Sequence, residues 1–372
     1  MKCKLSDICS FRKGKVEVEN LNAKNYISTE NMLPNKCGIT EASSLPSVPL
    51  TQEYNSGDVL VSNIRPYFKK IWQAKYDGGC SNDVLVFVPK PNTDKDFLYY
   101  VLADDDFFTY SMATSKGTKM PRGDKTSIMQ YEVPLIDLQV QKKIASVLKA
   151  LDEKIKLNNE INNNLEQQAQ AIYQQMFIDN ARSNWAEGTL SDIADITMGQ
   201  SPSGSSYNED GTGTIFFQGR AEFGFRFPSV RLYTTEPKRM ARSNDTLMSV
   251  RAPVGDLNVA HTDCCIGRGL AAIHSKSNHQ SFVLYTMFSL KKQLDVFNGE
   301  GTVFGSINRN SLNDMPILIP SDDILDEFER IVAPMDLTIR NNYDENCRLQ
   351  DIRDTLLPRL MSGELDVSDI DI

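Results

Sequence analysis

Between Asp137 and Phe177 apolar residues return every three or four positions, and no glycine or proline intervenes. Ile144, Leu148, Leu151, Ile155, Asn158, Asn162, Leu165, Ala169, Ile172 and Met176 hold the 4-3-4-3 spacing of a coiled-coil seam. Asp137 is placed to cap the start of that helix. About 40 residues at ~1.5 Å rise predict a rod of roughly 60 Å.

The same spacing returns near the end of the chain. Phe328, Val332, Met335, Ile339, Asn342, Asn346, Leu349, Arg353, Leu356 and Leu360 form a second seam, entered through Pro320-Ser321-Asp322. Pro334 predicts a kink or a broken first turn, and Pro358 weakens the last turns. Each seam carries two asparagines at its middle. Antiparallel pairing of the two helices would bring Asn158 to Asn346 and Asn162 to Asn342, a costly arrangement that fixes register.

The two remaining stretches read as short strands between turn signals. Val59–Val61 and Val84–Val88 are strand candidates in the first, Thr214–Phe217 and Thr246–Val250 in the second. Phe97–Phe108 and Gln280–Leu294 read as helices. The expected fold class is therefore mixed α/β. Its order is a block at 1–135, a spacer helix at 136–180, a second block at 181–320 and a second helix with a tail at 321–372.

The second half repeats the first. Gly117-Thr118 returns as Gly301-Thr302, 184 residues on, and Leu5-Ser6-Asp7-Ile8 returns as Leu190-Ser191-Asp192-Ile193 at an offset of 185. Gly57-Asp58-Val59-Leu60 pairs with Asn244-Asp245-Thr246-Leu247. A chain doubled in this way can set two diverged surfaces about a pseudo-twofold axis, which suits a ligand with two half-sites such as duplex DNA. The block ends, 115–122 and 300–307, are glycine-containing loops suited to close approach to phosphate.

A net charge of −9 argues at first against a nucleic-acid partner, but the excess is local. Residues 321–372 carry 5 basic and 14 acidic side chains, whereas 1–135 carry 17 and 16 and 181–320 carry 13 and 13. The blocks can therefore focus cations on one face, while the acidic helix suits a protein partner. At 372 residues the chain is long enough for at least two domains. The seven cysteines form no CxxC pair and suit reduced thiols in the cytoplasm. No apolar run approaches a membrane span, and the first residues have no signal-peptide core.

Catalytic constellations are missing from the sequence. The three histidines, His261, His274 and His279, all lie in the second block, which excludes a duplicated histidine-based site. There is no P-loop, no GxGxxG and no HExxH. The Asp/Asn-Pro-Pro-aromatic tetrapeptide of amino-methylating enzymes is absent too. Glu236-Pro237-Lys238 has the shape of one nuclease motif but no acidic partner at the required spacing. No catalyst, metal or resident cofactor is expected on this chain.

Taken together, the chain resembles the DNA-specificity subunit of type I restriction–modification systems. The helix from Leu138 to Phe177 resembles that family's central helix, and LLPRLMSGELDV, from Leu356 to Val367, its C-terminal signature. In the second block GQSPSGSSYNEDGTGTIFFQGRAEFGFRF, LMSVRAPVGDLNVA and CCIGRGLAAI are similar to one type of target-recognition domain. Pro334 and the strongly acidic second helix depart from the pattern. The resemblance implies two target-recognition domains, each reading half of a bipartite double-stranded DNA target, and an antiparallel coiled coil as spacer. It implies a non-catalytic chain holding two modification subunits, which methylate adenine with S-adenosylmethionine, and restriction subunits that translocate and cut. A duplicated coiled-coil scaffold without DNA specificity is the alternative reading, and a nuclease built on Glu236-Pro237-Lys238 a third.

Candidate DNA contacts follow from chemistry. Phosphates take lysine and arginine, and base edges take arginine, asparagine and glutamine. The first block offers Arg65, Lys69, Lys70, Lys116, Lys119 and Arg122. The second offers Gln218, Arg220, Arg226, Arg231, Arg251, Arg268 and Arg309. The neighbouring aromatics Tyr67, Phe68, Phe217, Phe223 and Phe225 are expected in the core.

Overall fold

A computed structural model describes residues 2–299, 305–365 and 367. The chain divides into two compact units. One takes the residues up to Asn158 together with those from Asp344 onward, and the other takes Asn159–Tyr343. Both divisions fall inside the long helices, so each unit contains part of each.

The first unit is built on an antiparallel sheet ordered Cys9–Phe11, Val84–Pro89, Val59–Ser62, Ile71–Gln73. A second sheet runs Lys15–Glu17, Leu50–Tyr54, Gly78–Cys80, Tyr26–Ile27, with its last pair parallel. The central strand is apolar at every residue up to Ser62 because both of its faces are covered. Val59 and Val61 pack on Phe87, Phe97 and Val101, and Leu60 packs on Tyr54, Trp72 and Val86.

The second unit repeats this plan. Ala194–Met198, Leu270–Ser275, Thr246–Ser249 and Leu257–Val259 form the first sheet in the same order. Met248 faces one core and Leu247 the other. Its second sheet has five strands, Tyr207–Asn208, Leu232–Thr234, Thr214–Phe217, Cys264–Ile266 and Met240–Ala241. The repeated Leu-Ser-Asp-Ile folds alike in both copies. It forms a one-turn helix whose aspartate accepts from the backbone N–H three residues before it, Lys4 to Asp7 at 2.8 Å and Thr189 to Asp192 at 2.7 Å.

Two of the expected helices are divided. Phe97–Phe108 is Lys95–Ala103 followed by Asp105–Ala113, because Asp104 turns extended and caps the second piece through Asp106 N–H at 3.1 Å. Gln280–Leu294 is Gln280–Ser289 followed by Lys291–Leu294.

The first long helix runs Leu138–Tyr173 and widens into a π-turn over Gln174–Asp179. Asp137 accepts from Gln139 N–H at 2.9 Å, as an N-terminal cap should. The second long helix runs Asp322–Ser362 without interruption, so the break expected at Pro334 does not occur. Phe328 and Val332 before the proline, and Met335 and Ile339 after it, pack into one core, and this packing outweighs the single lost backbone bond. Pro358 likewise sits inside the helix.

In the first unit Asp152 receives Arg353 at 2.8 Å and Asn158 donates to Asn346 at 2.9 Å. In the second, Asn342 donates to Asn162 at 2.8 Å. Numbers rise along one helix as they fall along the other, so the pairing is antiparallel. Ile144, Leu148, Ile155, Phe328, Val332 and Ile339 are buried, while Leu151, Leu165, Ile172, Leu349 and Leu356 are half-buried along the seam. All seven cysteines are free thiols. Among the described residues no helix is long and apolar enough to cross a membrane.

Candidate nucleic-acid interface

In the first unit two loops meet at the end of the central strand. After Ser62 the chain forms a tight turn over Pro66–Phe68 and returns as Ile71–Gln73. The loop at 115–122 folds back on itself, with Lys116 and Arg122 exchanging backbone hydrogen bonds of 2.9 and 3.0 Å. It then clamps the turn, since Arg65 N–H donates to the Pro121 carbonyl at 2.8 Å and Gly123 N–H to that of Asn63 at 3.1 Å. This brings Arg65, Lys69, Lys70, Lys116, Lys119 and Arg122 onto two contiguous loops that contain no carboxylate of their own.

Three of the six cations are held by acids from elsewhere in the unit. Lys69 pairs with Asp105 at 2.7 Å, Lys116 with Asp124 at 2.7 Å and Arg122 with Asp83 at 3.2 Å. The Lys116 hydrogen bond, with backbone and hydroxyl bonds from Ser127, holds the Asp124 carboxyl down at about 2. Lys70 donates to the Thr29 carbonyl at 2.6 Å, and burial lowers its ammonium below the usual lysine range. Lys119 is exposed. Three of the cations, Lys116, Lys119 and Arg122, therefore project from the surface.

The second unit uses the equivalent place. Segments 199–201, 217–220, 250–252 and 267–269 converge there with Gly305–Ile307. Gly267 N–H donates to Phe217 O at 2.8 Å, Val250 N–H to Gly269 O at 2.9 Å and Ala252 N–H to Gly305 O at 3.0 Å. The approach at Gly267 is so close that a Cβ would lie 2.7 Å from the Gln218 carbonyl oxygen. The bridge Arg251–Ser306 stands where Ile64–Arg122 stands in the first unit. Gln218, Arg220, Arg251 and Arg268 are exposed on this group of segments, and Arg309 is exposed at the start of the short helix Arg309–Asn313. Arg220 is paired with Asp256, and Arg231 with Glu222 at 2.8 Å. Part of the loop expected at 300–307 (Glu300, Gly301, Thr302, Val303 and Phe304) lies outside the described residues.

Arg226 does not belong with the surface set. It is 4% exposed and lies between Glu166 at 3.0 Å and Asp336 at 3.3 Å, one carboxylate from each long helix, with the Tyr285 hydroxyl at 3.1 Å. Burial pushes the Glu166 carboxyl up, and Arg226 only partly pulls it back. A guanidinium enclosed in this way is unavailable to phosphate; it ties this part of the second block to both helices. The aromatics also sort differently from expectation. Phe217 is buried and Phe223 half-buried, but Tyr67, Phe68 and Phe225 are 49%, 38% and 50% exposed. Among the described residues no group of three or more His, Cys, Asp or Glu could hold a metal ion.

The family model for the type I restriction modification DNA specificity domain matches residues 1–167 and again 182–342. A protein provisionally named the MjaX type I restriction enzyme specificity subunit, from Methanocaldococcus jannaschii, is 28% identical over 84% of this chain and 79% of its own length. The HindI type I restriction enzyme specificity subunit of Haemophilus influenzae is 24% identical over 91% of this chain and 94% of its own. The crystal structure of the type I restriction–modification S subunit from M. genitalium shares the fold, with a TM-score of 0.62 at 16% identity, covering 99% of this chain and 96% of that one.

Proposed function

The chain belongs to the type I restriction–modification DNA specificity family, as a DNA-recognition subunit, and we propose on that premise that its two units read the two halves of one bipartite target. The chain carries no catalysis of its own in this reading. The long helices set the separation of the half-sites and dock two modification subunits, which bind S-adenosylmethionine and methylate adenine. Restriction subunits join that assembly.

The observation that carries the reading is the repetition of the loop junction. The bridges Ile64–Arg122 and Arg251–Ser306 occupy the same topological place, yet the side chains around them differ. Equal scaffolds with unequal polar side chains suit two half-sites of different sequence. Arg251, Arg268 and Gln218 are the candidates for base edges in the second unit. Lys116, Lys119 and Arg122 are the candidates for phosphate in the first.

The test is a genome-wide map of N6-methyladenine in cells with and without this chain, supplied with its modification partner. A bipartite motif that appears only with the chain supports the reading. Unchanged methylation with an active partner would favour a scaffold without DNA specificity.

A further inference from the structure

The turn Arg65–Lys69 presents a feature that phosphate contact does not account for. Tyr67 and Phe68 stand out of the surface with ring centroids 4.7 Å apart, at 49% and 38% exposure. Met120, from the clamping loop, is 47% exposed. Exposed apolar side chains scattered singly are ordinary, but an adjacent pair of aromatics on a tight turn is not.

The backbone beneath them is held in an unfavourable conformation. Arg65 and Lys69, on either side of the turn, have φ of +51° and +50°. Asn35 and Lys36, with φ of +54° and +62°, pin the turn from behind by donating to the carbonyls of Phe68 at 2.8 Å and Lys69 at 2.9 Å. Four of the six non-glycine left-handed residues among those described thus meet at one turn. Backbone strain of this kind gathers where a side chain must be presented in a fixed direction.

The surroundings select the occupant. Loops 63–70 and 115–122 carry six cations and no carboxylate of their own, with Asp105, Asp124 and Asp83 from elsewhere in the unit pairing with Lys69, Lys116 and Arg122. Lys70 stands 5.8 Å from the centre of the Phe68 ring. An apolar protein or a lipid tail has no use for that border, whereas a duplex offers phosphates outside and base faces within.

We propose that Tyr67 and Phe68 enter the first unit's half-site as an apolar wedge against a partly unstacked base step, and so contribute to specificity there through the deformability of the DNA. The inference rests on the DNA-recognition reading above. It also makes the two half-sites unlike. The equivalent loop of the second unit joins Thr246–Ser249 to Leu257–Val259 and has Val254 and Gly255 buried, so that loop carries no wedge.

The experiment uses the full chain with its modification partner and duplexes carrying the mapped methylation motif, with 2-aminopurine placed at successive steps of both half-sites. The wild-type complex is expected to raise fluorescence at one step of the first half-site, and a mismatch there should tighten its binding. Tyr67→Ala/Phe68→Ala should lose that rise and the benefit of the mismatch, and bind the matched duplex roughly tenfold more weakly with an unchanged salt slope. Should the alanine pair fail to fold, Tyr67→Leu/Phe68→Leu is expected to keep the fold but show a smaller fluorescence rise. Equal affinity, fluorescence and mismatch response in wild type and a folded variant would overturn the wedge. A wild-type complex with no preference for the motif would instead overturn the recognition reading, and the wedge with it.

Discussion

Tyr285 donates its hydroxyl to Asp336 at 2.8 Å, and 184–185 residues earlier Tyr100 makes the same 2.8 Å bond to Asp152. Each tyrosine lies on the helix that covers its unit's first sheet, and each aspartate on a long helix. The cation beside each aspartate comes from a different source. Asp152 receives Arg353 from the second long helix, and Asp336 receives Arg226 from the second block. The duplication preserved the anchor while its counter-charge was supplied anew.

Removing the Tyr285 hydroxyl leaves Asp336 with one partner fewer in a half-buried place. Tyr285→Phe is therefore expected to destabilise the second unit by about 1–3 kcal/mol. Tyr100→Phe should do the same in the first unit, and the two effects should add, since the sites share no partner. Denaturant unfolding of the single and double variants measures this. A double variant no weaker than either single would show that the bonds are not independent anchors.

The seam asparagines make a second pair of expectations. Asn158→Ile alone removes the 2.9 Å donor to Asn346 and the 2.8 Å donor to Glu345 and should cost about 1–3 kcal/mol. Replacing both by isoleucine should recover much of that stability but loosen register, because an apolar pair accepts shifted alignments. Disulfide trapping between cysteines placed along the two helices within the first unit reads the register. A double variant trapped in the native register alone would remove the register role.

Glu329 gives a pH-dependent expectation. Burial pushes its carboxyl above the ordinary value of 4.5, and the Phe282 N–H at 2.9 Å and the Ser281 hydroxyl offset this only in part. His279 also draws it down and Asp336 pushes it up. A raised carboxylate binds its proton more tightly in the folded state. Its stabilising contribution is present below the unfolded value and is lost as pH rises through the folded one. Glu329→Gln mimics the protonated form, so its melting temperature relative to wild type should climb as pH rises above the ordinary carboxyl value of 4.5. A constant difference over that rise would show that the charge is not the cause.

The helix pair was legible because a period repeated over dozens of residues is a local signal that needs no tertiary knowledge. The pairing of Asn158 with Asn346 and of Asn162 with Asn342 followed from the same count. The uninterrupted helix at Pro334 was not legible, because the packing of Phe328, Val332, Met335 and Ile339 decides it from outside the local sequence. The burial of Arg226 escapes local sequence for a similar reason. Its carboxylate partners lie 60 and 110 positions away, so nothing nearby distinguishes it from surface cations such as Arg220. Residue type alone places Tyr67 and Phe68 in the core. The run Arg-Pro-Tyr-Phe-Lys-Lys, with its aromatics set between cations, was the available signal that they face outward.

Phosphate and base contacts can be separated by how each responds to salt and sequence. Lys119 is exposed on the loop proposed to meet the backbone, and Lys119→Ala should weaken binding to all sequences alike and reduce the salt slope by about one. Arg251 follows the end of the central strand in the second unit and is exposed there. If it reads a base, Arg251→Ala should cost about 1–3 kcal/mol on the mapped motif, leave the salt slope nearly unchanged and relax one position of one half-site. Binding titrations at several salt concentrations, with methylation mapping of each variant, give both quantities. An Arg251→Ala motif identical to wild type, with a lowered salt slope, would move Arg251 to the phosphate set. Base reading in that unit would then fall to Gln218 and Arg268, which the same two measurements can examine in turn.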